Sequence, residues 1–118
     1  GQHDGIPAVE EVEKPEVLIL RLSGNLRDDF ANELRDAVRD AVRQSRVHIL
    51  LDMAGVPRIY FTGIGELVTA FTRTRDAGGA LKLLNLQKQP MDALQLTKLY
   101  TVFDIHTDEA QAIASFQK

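Results

Sequence analysis

The run "RVHILLDMAG", residues 46–55, constrains this chain more than any other stretch. It is apolar with little polar interruption, so it reads as a strand buried on both faces, at the centre of a sheet. A sheet covered on both sides needs helices, and the rest of the chain supplies them in alternation. "EVLILRLSG" (16–24) is a second strand: Val17, Ile19, Arg21 and Ser23 face one way, Leu18, Leu20 and Leu22 the other. "AVEEVEK" (8–14) pairs with it as an edge strand, with "KPE" at the turn. "ALKLLNL" (80–86) and the short "VFDIH" (102–106) complete the strands.

Between them lie amphipathic helices. In "DDFANELRDAVRDAVRQS" (28–45) Phe30, Leu34, Ala37, Val38, Ala41 and Val42 form one stripe at the helical period. Asp28 or Asp29 is the expected N-cap. "TGIGELVTAFTRTRDAGG" (62–79) carries a stripe of Ile64, Leu67, Val68 and Phe71, stopped by Gly78 and Gly79. "PMDALQLTKLY" (90–100) opens with proline in its first turn, and "TDEAQAIASF" (107–116) starts at Thr107 or Asp108. The order β-β-α-β-α-β-α-β-α predicts an α/β fold, a mixed sheet with about four helices joined by parallel crossovers. Residues 1–7 are expected to be a tail or cloning remnant, and 8–118 one domain.

Composition narrows the chemistry. A net charge of −3 gives no global pull toward nucleic acid or anionic membrane. The chain has 0 cysteines, so disulfides, thiol catalysis and zinc–thiolate sites are excluded. No apolar run approaches the roughly 20 residues that span a bilayer, and "GQHDGIP" lacks a signal-peptide pattern. A cytoplasmic protein without membrane insertion is expected. His3, His48 and His106 are far apart and show no ligand spacing, so no metal is expected. Ser23, Ser45 and Ser115 sit at element edges, not in a nucleophile motif. "TGIG" lacks the third glycine and the Lys-Ser/Thr of a phosphate loop. Asp52, ending the central strand, is expected to hold a turn. The reading is non-enzymatic, with no cofactor, no catalytic residue and no nucleic-acid partner.

Thr62 is what remains. It stands where "IYFTGIG" passes into a helix, and local physics favours a plain helix cap. A helix N-terminus also tolerates anions, so a phosphate there is compatible with the fold.

Taken together, "LSGNL", "LLDMAGVPRIYFTGIGELVTAFTRTRDAGGALKLLN" and "LTKLYTVFDIHTDEAQAIASF" resemble a STAS domain, from about Val9 to Phe116. This is the fold of bacterial anti-sigma-factor antagonists and of sulphate-transporter tails. In that family a D-S-S-G-L-type motif opens the helix after the central strand. A serine or threonine before its glycine is phosphorylated by a partner kinase, itself usually an anti-sigma factor. The resemblance places that hydroxyl on Thr62, before Gly63. It implies a phosphorylation site at Thr62 and a partner-binding surface of Arg27, Pro57, Arg58, Tyr60, Phe61, Thr62, Gly63 and Glu66. Two departures stand out: Tyr60 and Phe61 replace the motif's leading acid and first serine, and Arg27 replaces a common acid. The implied function is an anti-sigma-factor antagonist-like regulator that binds a serine/threonine kinase. An alternative is a small STAS subunit of an ABC or anion transporter, without the switch. A third reading, nucleotide binding, is testable by GTP and ATP titration. The oligomeric state is left open, with a dimer as one option.

Overall fold

The computed structural model describes residues 6–117, so His3 and the rest of residues 1–5 lie outside it. The hairpin of β1 (Ala8–Glu13) and β2 (Leu18–Ser23) is antiparallel, closed by the Lys14 N–H donating to the Val17 carbonyl at 3.0 Å. β3 (His48–Gly55), β4 (Ala80–Leu84) and β5 (Ile105–His106) then add in parallel. The sheet therefore runs β1-β2-β3-β4-β5 in chain order, with β3 at its centre.

The alternation in β2 fixes two cores. Leu18, Leu20 and Leu22 join Ile49, Leu51 and Met53 of β3 under α1 (Asp28–Arg43), α2 (Phe61–Asp76) and α3 (Lys88–Leu96). Val17, Ile19, Leu50 and Leu84 face the other way, under α4 (Glu109–Ala114) and Phe116. Burying each such side chain is worth about 1.5–3 kcal/mol, and the central strand holds them on both sides. The apolar run at residues 46–55 is explained by that position.

Several boundaries differ from expectation, each for a local reason. α1 begins after Arg27, which makes no side-chain cap, and Asp28 adopts φ 42° instead of capping. α2 turns inward Gly63, Glu66, Leu67, Ala70 and Thr74, which leaves Val68 on the surface. Its stop does follow the glycine signal, with Gly78 at φ 90°. α3 ends at Leu96 because Lys98 turns to φ 63°, and a 3₁₀ turn, Leu99–Thr101, takes the place of its last helical turn. β5 is cut to two residues. α4 is capped by Asp108, whose carboxylate accepts from the Gln111 N–H at 2.9 Å.

Candidate functional site at the Thr62 corner

Two loops meet above the end of the sheet. Leu26 and Ile59 form a single parallel bridge: the Leu26 N–H donates to Arg58 at 2.9 Å and the Tyr60 N–H to Leu26 at 3.0 Å. Both side chains are buried, which anchors the loops to the core. Gln89 of α3 completes the clamp. Its Oε1 accepts from the Ile59 N–H at 2.8 Å and its Nε2 donates to the Ile59 carbonyl at 3.2 Å. Gln87 donates to the Ala54 carbonyl at 2.7 Å. The Gln89 amide thus does for this loop what a neighbouring strand does elsewhere, while Gln87, just before α3, ties down the end of β3.

Gly63 makes the corner tight. A Cβ there would fall inside contact distance of the Leu26 carbonyl and 2.9 Å from its Cγ, so only glycine lets α2 approach so closely. The approach positions Thr62. Thr62 is exposed and is the second residue of α2, not its cap; Tyr60 is the N-cap and makes no side-chain bond. Instead, Thr62 Oγ1 accepts from the backbone N–H of Asp28 at 2.8 Å. The hydroxyl caps the neighbouring helix, α1, and fixes the Asp28 backbone. Its own proton is not used by that bond, and the side chain opens to solvent.

Around it the surface is unusual in composition. Phe61 is 87% exposed. Tyr60 is 36% exposed, with the guanidiniums of Arg27 and Arg58 at 5.2 and 5.9 Å from its ring centroid. Such cation–π contacts are worth about 0.5–1 kcal/mol at exposed sites. Arg27, Pro57 and Arg58 are all exposed. Glu66 is different. It lies in the groove between α1 and α2 with Thr62, Asp28 and Asp29, yet is only 7% exposed. Oε1 is 4.0 Å from Arg35, and Oε2 has no hydrogen-bond partner among the described residues. Burial holds this carboxyl above the usual glutamate range, against the pull of Arg35 and Arg73.

A family model of the STAS domain matches residues 8–112. The chain belongs to the STAS domain family. Solved structures of similar shape include an anti-sigma factor antagonist from Mycobacterium paratuberculosis, at 16% identity and TM-score 0.82 over 95% of each chain. The anti-sigma factor antagonist SpoIIAA in its unphosphorylated form matches at 19% identity and TM-score 0.81, over 93% of this chain and 96% of that one. The murine anion transporter Slc26a9 contains the same shape at 17% identity and TM-score 0.76, over 90% of this chain and 18% of its own. At these identities the likeness shows the fold.

On this STAS domain the fold brings together Arg27, Arg58, Tyr60, Phe61, Thr62 and Gly63, with Pro57 at the edge of the same loop. Glu66 lies below them in the groove. Asp52 holds a turn, as expected: Oδ1 accepts from the Ala54 N–H at 3.1 Å. Its Oδ2 also binds Arg21 at 2.9 Å, and Arg21 reaches Glu109 of α4 at 2.8 Å. The two carboxylates hold the Arg21 guanidinium above its ordinary range. His48 packs edge-on against Phe116, and His106 sits 3.0 Å from Asp104. No metal-holding group of His, Cys, Asp or Glu occurs among the described residues, and no helix of theirs is long and apolar enough to cross a membrane. Sequence reasoning missed Gln89 and Gln87. Their only sequence signal was polarity at a helix start, which any solvated turn shares.

Proposed function

We propose that this STAS domain is a non-enzymatic, cytoplasmic regulator of the anti-sigma-factor antagonist kind, which docks on an anti-sigma kinase or related signalling protein through the Thr62 corner. Thr62 is the regulatory phosphosite. The observation that carries the reading is the exposed Thr62 hydroxyl, held by a fixed amide at 2.8 Å beside exposed Phe61 and Tyr60. Aromatic and arginine side chains are common binding anchors. A kinase transferring the γ-phosphoryl group of ATP to Oγ1 would release ADP and the hydroxyl proton. The added charge, about −1.5 to −2, falls at the docking surface without disturbing the buried core. That SpoIIAA of Bacillus, at 19% identity, has a phosphorylated form supports the same assignment.

A second reading, a STAS subunit of an anion or ABC transporter, has its own support. Phe61 is 87% exposed, which suits a permanent apolar interface, and the fold recurs in an anion transporter. The two readings separate in one experiment. Wild type and Thr62→Asp are used as bait in lysate of the source organism, and retained proteins are identified by mass spectrometry. Recovery of an ATP-binding kinase by wild type alone supports the switch. Equal recovery of a transporter ATPase by both moves the protein to the second reading. Kinase recovery that Thr62→Asp leaves unchanged defeats the phospho-switch.

A further inference from the structure

Arg27 and Arg58 reach the Tyr60 ring from two different loops, one before α1 and one before α2. Neither has a carboxylate within ion-pair distance among the described residues, whereas Arg21, Arg35, Arg39, Arg46 and Arg75 each have at least one; Arg43 and Arg73, which share the lack, lie one each in the last turns of α1 and α2. On a chain of net charge −3 two uncompensated guanidiniums held over one ring are not a general charge effect. Phe61, next in sequence, presents a nearly free apolar ring. The cationic area is also short, because Asp28 and Asp29 follow Arg27 directly and line the groove on the α1 side. An extended polyanion would meet those carboxylates. A short acidic stretch would not.

We infer that the Arg27–Tyr60–Arg58 cluster is a docking surface for an acidic protein segment carrying a bulky apolar residue, whose carboxylates pair with the two arginines while its apolar side chain packs on Phe61. Charge complementarity sets the choice of partner and the on-rate, and the aromatic contact supplies the anchor. The inference rests on the Thr62-corner reading for its location. It also gives that reading a release mechanism. The bond from the Asp28 amide to Thr62 Oγ1 puts the Arg27 backbone one residue from the hydroxyl. A phosphate on Thr62 adds negative charge at this same corner, where it repels the partner's carboxylates.

The test is an NMR titration of the isotope-labelled protein with two synthetic peptides, one with glutamates flanking a central leucine and one with lysines in their place. The acidic peptide is expected to give saturable shifts at Arg27, Arg58, Tyr60 and Phe61, weakened by added salt, while the lysine peptide gives none. The Arg27→Glu, Arg58→Glu double variant is expected to lose about tenfold in affinity, consistent with two surface ion pairs, with its other resonances unmoved. Absence of saturable shifts at these residues, or equal binding by the double variant, overturns the inference. Tighter binding of a single-stranded oligonucleotide at the same residues also overturns it and assigns the surface to nucleic acid. Because no kinase or modification is needed, a protein that binds the peptide but is never phosphorylated keeps this inference and loses the switch.

Discussion

Replacing Thr62 by valine tests the cross-helix cap. The change keeps the side-chain shape and removes only the acceptor of the Asp28 N–H, now 2.8 Å away. Helix propensities of threonine and valine are nearly equal, so α2 itself is little affected. Removing a cap acceptor costs about 0.5–2 kcal/mol. Both residues are exposed, so water takes up part of the lost bond and the full penalty of a buried orphan does not apply. The backbone at Asp28 works in the opposite direction: φ 42° is a sparsely populated conformation, held in place by this bond. We expect a net loss of about 1 kcal/mol, seen as a lower urea midpoint with an unchanged m-value. Hydrogen exchange at Asp28 should speed up, while that of the central β3 amides should follow only the global loss. Thr62→Ser should behave as wild type. A valine variant with wild-type midpoint and wild-type Asp28 exchange would refute the cap and, with it, the claim that Thr62 fixes the start of α1.

Three further perturbations follow from the geometry. Gly63→Ala forces a methyl against the Leu26 carbonyl and should cost about 1–3 kcal/mol, with shifts at Leu26 and Ile59 in the amide spectrum; an unaffected protein would show the approach is looser than described. Glu66→Gln should stabilise the protein at neutral pH. A carboxyl raised by burial binds more protons folded than unfolded, so stability falls as pH rises from its ordinary 4.5 through the raised value. The advantage of glutamine should therefore fade below about pH 4, which paired urea melts would read. Arg21→Leu removes the link from β2 to Asp52 and Glu109; its side chain is 33% exposed, so screening limits the loss to about 1–2 kcal/mol. Faster exchange in α4 than in α1 is the expected signature.

How far the sequence disclosed this molecule depends on the range of the interactions. β2 was legible because its alternation sorts Leu18, Leu20 and Leu22 from Val17 and Ile19, and the sheet uses both faces. The α1 stripe was legible for the same reason at the helical period. The end of α3 was not, because Lys98 enters a left-handed conformation at φ 63° with no glycine to announce it. The candidate site was half legible. Its residues are neighbours along two short stretches, and the STAS resemblance pointed at Thr62. The partner of that hydroxyl was hidden, since Asp28 is 34 positions away and reaches it only through the Leu26–Ile59 bridge. The resemblance grouped Glu66 with the exposed partner-binding residues, but the packing of α2 on α1 buries it beside Arg35, a contact no local pattern announces.

The central claim is that modification of Thr62 controls docking at this corner. Its most direct test is the dissociation constant of the captured partner for the unmodified protein and for protein carrying phosphothreonine at position 62. The account predicts at least about a tenfold weakening, or 1.4 kcal/mol, on phosphorylation. Equal affinity for the two forms would contradict it and leave Thr62 as a structural cap.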